Sequence, residues 1–420
     1  MKIIYLFIII LFLFWISGCS ESFLDETNPN QTTTTEFWKT ENDLTSALAT
    51  IYNAITDDYN GHYGTVNWQL MESRTENFEE RNDVRARYEI SVFQNTFSND
   101  YAADLYKGAY IGIFRANQVI QSGGAMDLSD DVKNPLIAEA TFLRGLNYFF
   151  LVTDFGAVPI TTAVAETSED YFVAKSTEEE VWAQVISDFK VGEQYLPDVW
   201  DASNKGRVSR GAALAFLGRA YLYRADYDNA ILVLKEIVDN ESTFGYELQE
   251  NYAELFDGQH ENGVEGIFEI QYSNIGGTSI WASDEVDKPQ TTFIGQECAP
   301  GEVGGWFEMQ PTSVLRDSFL VEPTGDGAYD PRAFATIVWD YPGSVYYQLD
   351  FSSTWPGEIW LRKNQNWWDA NEGEWKSELN EYGMRYADVL LMLAEAYTMK
   401  GQVAVAAPLV HRIRERAGLE

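Results

Sequence analysis

Two matching segments far apart in the chain restrict its fold more than any other feature. Leu217, Gly218, Tyr221, Ala230 and Leu234 stand at the offsets of a tetratricopeptide repeat, a helix-turn-helix unit of about 34 residues. Leu393, Ala394, Tyr397, Gly401, Ala406 and Val410 repeat those offsets near the end. Small residues at Gly218 and Ala230 let paired helices approach closely, with a turn expected at Asp226, Tyr227 and Asp228. Gly145 and Tyr148 begin the pattern a third time, until Gly156 and Pro159 interrupt it. One such pair cannot bury its apolar face alone, so the units must stack on one another or on other helices.

Further helices follow from apolar residues recurring at helical spacing. Phe37, Leu44, Leu48, Ile51, Tyr52 and Ile55 form one set, and Ile111, Phe114, Ala116, Val119 and Ile120 another. Glu139 to Val152 and Glu178 to Leu196 add two more, stopped by Gly156 with Pro159 and by Pro197. Between Thr243 and Glu381 the helical period disappears. This stretch holds Trp281, Trp306, Trp339, Trp355, Trp360, Trp367, Trp368 and Trp375, eight of the chain's 13 tryptophans, so aromatic chemistry concentrates there. Short strands are expected at Gly266 to Tyr272 and Ala335 to Trp339. The expected fold is mainly α: helix pairs forming a scaffold over 36–242 and 382–420, and an irregular Trp/Gly-rich insertion over 243–381.

The first residues set the compartment. Lys2, the apolar run Ile3 to Ile16, then Ser17 and Gly18 make a signal peptide over 1–18, too short for a bilayer span of about 20 residues. Ile16, Ser17, Gly18 and Cys19 match a lipobox, which makes Cys19 the lipidation site and 19–35 a polar tether. Two or more acyl chains hold a protein at a membrane stably. Cys298, the remaining thiol, is expected to be buried and inert.

The charge balance, 29 Lys plus Arg against 65 Asp plus Glu, disfavours nucleic acid as a partner. Two cysteines and three histidines leave no disulfide framework or structural zinc site. Gly-x-Ser-x-Gly, His-Glu-x-x-His and the glycine-rich phosphate and dinucleotide loops are absent, so no catalytic residue is assigned. Asp326 and Asp330, in the loop Gly325 to Pro331, are oxygen donors of the kind calcium takes, but an acidic surface turn is the preferred reading and no cofactor or metal is expected. An indole or phenyl face can stack on the C–H face of a sugar ring while nearby polar groups meet the hydroxyls. On that basis the candidate ligand residues are Arg74, Asn77, Arg81 and Phe97, from the loop Asp57 to Asp100, with Trp281, Trp306 and Trp355 from the insertion. The competing reading of those tryptophans is a small core of the insertion itself.

Several blocks resemble the SusD/RagB family of outer-membrane lipoproteins. Phe23, Leu24, Asp25 and Pro29 are similar to its opening, and Phe37, Trp38, Asp43, Leu44, Ala47 and Tyr52 to its first helix. Tyr106, Ile113, Ala116, Asn117 and Ile120 resemble the next block. The most specific is Ala138, Glu139, Ala140, Phe142, Leu143, Arg144, Tyr148, Leu151, Phe155, Gly156, Val158 and Pro159. Ala212, Leu217, Tyr221, Leu255, Phe256, Glu265, Phe268, Arg385, Tyr386, Glu395, Arg414 and Arg416 continue the likeness.

The resemblance implies a cell-surface lipoprotein, lipid-anchored in the outer membrane and facing outward. It would capture oligosaccharides without catalysis and deliver them to a SusC-like TonB-dependent porin. Peptide capture or a scaffold role is the alternative, and a glycosidase the remote one. Glu21, Asp25 and Glu26 resemble the family's acidic surface-export signal. Relatives continue past the block that ends here at Glu420, so a truncated chain is expected. Ligand contacts vary within the family, so no site residue carries across by motif.

Overall fold

The computed structural model describes residues 37–57, 60–273, 290–371 and 376–419. The signal segment, Cys19, the tether and Trp281 lie outside the described residues.

The first half contains α1 (Glu41–Thr56), α2 (Thr65–Glu72), β1 (Phe78–Glu80), α3 (Arg85–Ser91), α4 (Asp100–Gln118), α5 (Asp130–Phe155), α6 (Glu178–Tyr195), α7 (Arg210–Tyr223), α8 (Tyr227–Asp239) and α9 (Glu241–Phe244). Then follow β2 (Gly266–Ile270), α10 (Ile294–Cys298), β3 (Met309–Pro311), α11 (Ser313–Leu320), α12 (Pro331–Thr336) and β4 (Ile337–Trp339). The chain closes with β5 (Val345–Tyr346), β6 (Leu349–Asp350), α13 (Phe351–Thr354), β7 (Ile359–Leu361), β8 (Glu381–Arg385), α14 (Tyr386–Met399) and α15 (Val403–Arg416).

Helices α1, α4, α5, α6, α7, α8, α14 and α15 pack each on the next in that order. Their side chains explain the order. Between Leu136 and Val152 nearly every residue of α5 is buried, and so is α7 from Gly211 to Leu217, as befits helices enclosed on all sides. By contrast α8 buries the single stripe Ala230, Val233, Leu234 and Ile237 against α7 and α14. A Cβ on Gly218 would lie 2.4 Å from Leu234 Cδ2, so glycine is what allows α7 and α8 to come this close. Arg144 on α5 ties three helices together, donating to both oxygens of Asp188 on α6 at 2.9 and 2.7 Å and to Asn117 on α4 at 2.9 Å. Because both charges are buried and paired bidentately, neither is left as an uncompensated ion.

The expected helices are present, two of them with earlier starts: α4 begins at Asp100 and α5 at Asp130, where polar residues mask the period. The turn between α7 and α8 is Arg224 to Asp226, with Ala225 at φ 54°, and Tyr227 and Asp228 already belong to α8. Ala335 belongs to the last turn of α12 rather than opening a strand, and β4 starts at Ile337.

The insertion leaves after α8 and returns at α14 through the antiparallel pair β2–β8, with Ile270 opposite Glu381. It is less irregular than expected, holding α10 to α13 and β3 to β7. Residues 60–99, grouped by the sequence reading with the scaffold, pair with it instead. Phe78 in β1 faces Pro311 in β3, Thr65 Oγ1 meets Thr292 Oγ1 at 3.1 Å, and Arg87 donates to Glu297 at 3.0 Å. The lobe beside the scaffold is therefore assembled from two distant stretches, joined by strands only three residues long, too short to announce themselves by alternation.

Candidate functional site

An open cleft of about 650 Å³ lies where the end of α2, the segment after α3, the start of α4 and the end of α5 meet. Phe93 and Phe97, 73% and 105% exposed, line it. Phe93 follows α3 at φ 57°, a conformation that costs a bulky residue about 1–3 kcal/mol and holds this ring outward. Tyr101, Tyr106 and Phe155 also line the cleft, with Tyr106 and Phe155 edge to face at 5.3 Å.

The polar groups are Arg74 and Asp154. Arg74 Nη2 stands 3.6 Å from Asp154 Oδ1 and also touches the Met71 sulfur. Asp154 Oδ2 is buried without a hydrogen-bond partner, and burial raises the pKa of the carboxyl against the opposing pull of Arg74. An unpaired acceptor of this kind is costly unless something completes it. Aromatic faces beside a guanidinium and a carboxyl suit the C–H faces and hydroxyls of a sugar. Glycoside hydrolysis ordinarily needs two flanking carboxyl groups, and among the described residues lining this cleft Asp154 is the only acid.

Of the expected ligand residues, Arg74 and Phe97 are brought together here. Asn77 lines a separate cavity of about 460 Å³ between the lobe and the scaffold. Arg81 is occupied as a clasp: it donates to Asp83 at 2.7 Å, to the Trp306 carbonyl at 2.7 Å and to Glu308 at 3.0 Å, and stacks over Phe307 at 4.4 Å. Trp306 is half-buried, its ring packed on Phe293 at 6.3 Å. Trp355 is a correction. It is 2% exposed in a cluster with Val338, Tyr346, Phe351 and Trp360, its Nε1 donates to Glu302 at 3.0 Å, and it has no face to offer a ligand. In the acidic loop, Asp326 accepts from Thr324 Oγ1 at 2.5 Å, while Asp330 caps α12 and pairs with Arg332 at 2.6 Å. Cys298 is buried, as expected.

Asp154 and Phe155 escaped the sequence reading as ligand residues because they sit at the end of a strong helical pattern, and Tyr101 because polar residues mask the period at the start of α4. One signal was available: an acid in the last turn of a helix opposes the macrodipole, so Asp154 occupies a position that helix stability alone disfavours.

Two family models match the chain. One, described as "Starch-binding associating with outer membrane", covers residues 22–222, and the other, "SusD family", covers residues 264–420. SusD-like protein P2 of Formosa agariphila is 28% identical over 98% of this chain and 81% of its own length. The crystal structure of a SusD superfamily protein from Bacteroides vulgatus superposes with a TM-score of 0.82 at 33% identity, covering 91% of this chain and 81% of that one. A laminarin-binding SusD-like protein gives 0.76 at 26% identity, covering 91% and 85%. Matched along both halves and superposed on such a relative through most of its length, this mainly helical chain belongs to the SusD family.

Proposed function

We propose that this chain is a lipoprotein of the outer cell surface that captures oligosaccharides without chemistry and passes them to a SusC-like TonB-dependent porin. The observation that carries the capture reading is the open cleft with exposed Phe93 and Phe97 beside Arg74 and the unpartnered Asp154 oxygen. Laminarin binding by a relative of the same fold supports a glycan as cargo. The lipobox at Cys19 supports the anchor, and the family description supports the outer membrane. Among the described residues no helix is long and apolar enough to cross a membrane.

The test is a binding screen of the purified chain against a panel of soluble polysaccharides and their oligosaccharides, with product analysis on the same samples. Saturable binding to one glycan class without release of reducing ends is the expected result. Release of product by pure protein would replace capture by catalysis, and silence across the panel with retention of peptides would replace the cargo.

A further inference from the structure

The cavity between the lobe and the scaffold, which shares Met71 of α2 with the open cleft, is built around a buried acid. Both oxygens of Glu381 are buried and neither has a hydrogen-bond partner. The residue is 4% exposed on β8 and lines the cavity together with Glu72 and Trp68 of α2. Native proteins rarely leave a buried carboxyl unsatisfied, because the lost hydration is not recovered. His62 Nδ1, on the same wall, is likewise buried and without a partner. The volume of about 460 Å³ exceeds what a single ordered water fills and falls among small-ligand sites.

The chemistry of the occupant follows from what is already in place. Lys363 Nζ stands 4.3 Å from the Phe256 ring centroid and 5.5 Å from that of Tyr252. An ammonium therefore already occupies these aromatic faces and would repel a second cation. An anion would face Glu72 and Glu381. A neutral ligand with several hydroxyls suits these groups: it donates to the glutamate oxygens and His62 Nδ1, accepts from Lys363, and lays an apolar face on Trp68, while Arg385 on the same lining is already paired with Glu265. Burial holds Glu381 and Glu72 above the ordinary carboxylate range, so a protonated acid can donate in turn, and burial keeps His62 neutral with its pKa lowered to about 3.

We infer that this cavity is a second carbohydrate subsite, separate from the open cleft, that takes a single neutral sugar residue against Trp68 and Glu381. The inference rests on the glycan-capture reading and adds to it a site that recognises one ring, a chain end or a branch, where the cleft meets a longer chain.

The test is calorimetric titration of the full chain with D-glucose, D-galactose, D-mannose and D-xylose, with methylammonium chloride as the cationic probe. One of the sugars is expected to bind saturably. That affinity should fall about tenfold or more in Glu381→Leu and in Lys363→Met, and stay unchanged in Phe97→Ala. Glu381→Leu replaces an unpaired buried carboxyl by an apolar group of similar volume, so the fold is kept, and a thermal melt verifies this. Sugar binding lost in Phe97→Ala but retained in Glu381→Leu overturns the second subsite and leaves capture intact. Failure of every monosaccharide, or binding of methylammonium alone, overturns it as well. Reducing sugar released from oligosaccharides and abolished by Glu72→Gln would overturn it in favour of a catalytic acid pair. Collapse of the underlying reading would look different, because wild type would then bind no oligosaccharide of the wider panel either.

Discussion

In the scaffold one apolar core runs from Leu44 on α1 to Ile413 on α15, whereas the neighbouring lobe divides its apolar side chains among five small clusters among the described residues. Buried charge differs in the same sense. The scaffold pairs Arg144 with Asp188 and Arg207 with Glu139, and Arg416 of α15 shares Glu265 with Arg385 where the insertion joins. In the lobe Arg87 faces three glutamates, Glu297 at 3.0 Å, Glu308 at 3.4 Å and Glu80 at 3.5 Å, all buried, and Arg81 pairs with Glu308 as well as with Asp83. The first region is held by apolar area, which is indifferent to pH, and the second by an acid-rich network across two chain segments. The candidate cleft draws on both regions, with Phe93 and Phe97 from the lobe and Tyr106, Asp154 and Phe155 from scaffold helices α4 and α5.

The contrast would break first at Phe142. Its ring is fully buried and packs against Phe189, Phe216 and Phe268 at 5.0 to 6.2 Å, so Phe142→Ala should cost about 3–5 kcal/mol in urea unfolding. A loss below about 1 kcal/mol would mean that the core tolerates cavities and is not what holds the scaffold. Next is Arg87→Met, which strands buried glutamates and should cost about 3 kcal/mol. Its signature should be local: faster proteolysis within 60–99 and 290–371, with most helical circular dichroism retained. Global unfolding in step with the scaffold would erase the distinction between the two regions.

The network also gives a pH dependence of definite sign. Burial raises Glu80 from 4.5 to about 8 and Glu297 from 4.5 to about 7. A carboxyl whose pKa is higher folded than unfolded favours the fold fully below pH 4.5, and that contribution is lost as pH rises through the folded value. Lobe stability should therefore decline between pH 4.5 and about 8, and Glu80→Gln, uncharged throughout, should flatten the decline. Parallel profiles for wild type and variant would show that Glu80 does not titrate in this window.

Legibility in the sequence follows the same division. The scaffold helices could be read because apolar residues recur over three or more turns, as with Leu44, Leu48, Ile51 and Ile55 on α1. Of the lobe's strands β4 was read, two residues early; the others span two or three residues, and their register, Glu80 opposite Met309, links positions that no local pattern connects. Composition also placed Trp355 and Phe97 in one class although they do opposite things. Spacing does not separate Trp355 from Phe97 either: Phe351 and Trp355 stand four apart and pack at 5.6 Å, and Phe93 and Phe97 also stand four apart, yet both of these are exposed.

The pair Phe97 and Trp355 carries the smallest effect on stability and the sharpest test of where ligand binds. Phe97 touches little that holds the fold, so Phe97→Ala should leave stability within about 0.5 kcal/mol of wild type while weakening oligosaccharide binding about tenfold. Trp355→Ala should do the reverse at first hand, costing about 3 kcal/mol or more by opening its cluster, and should affect binding only as far as the lobe loosens. Melting curves and glycan titrations on both variants separate the two roles. If Phe97→Ala binds as tightly as wild type, the exposed ring is not a platform and the ligand sits elsewhere; if Trp355→Ala loses binding while melting unchanged, burial in this structure is not its working state.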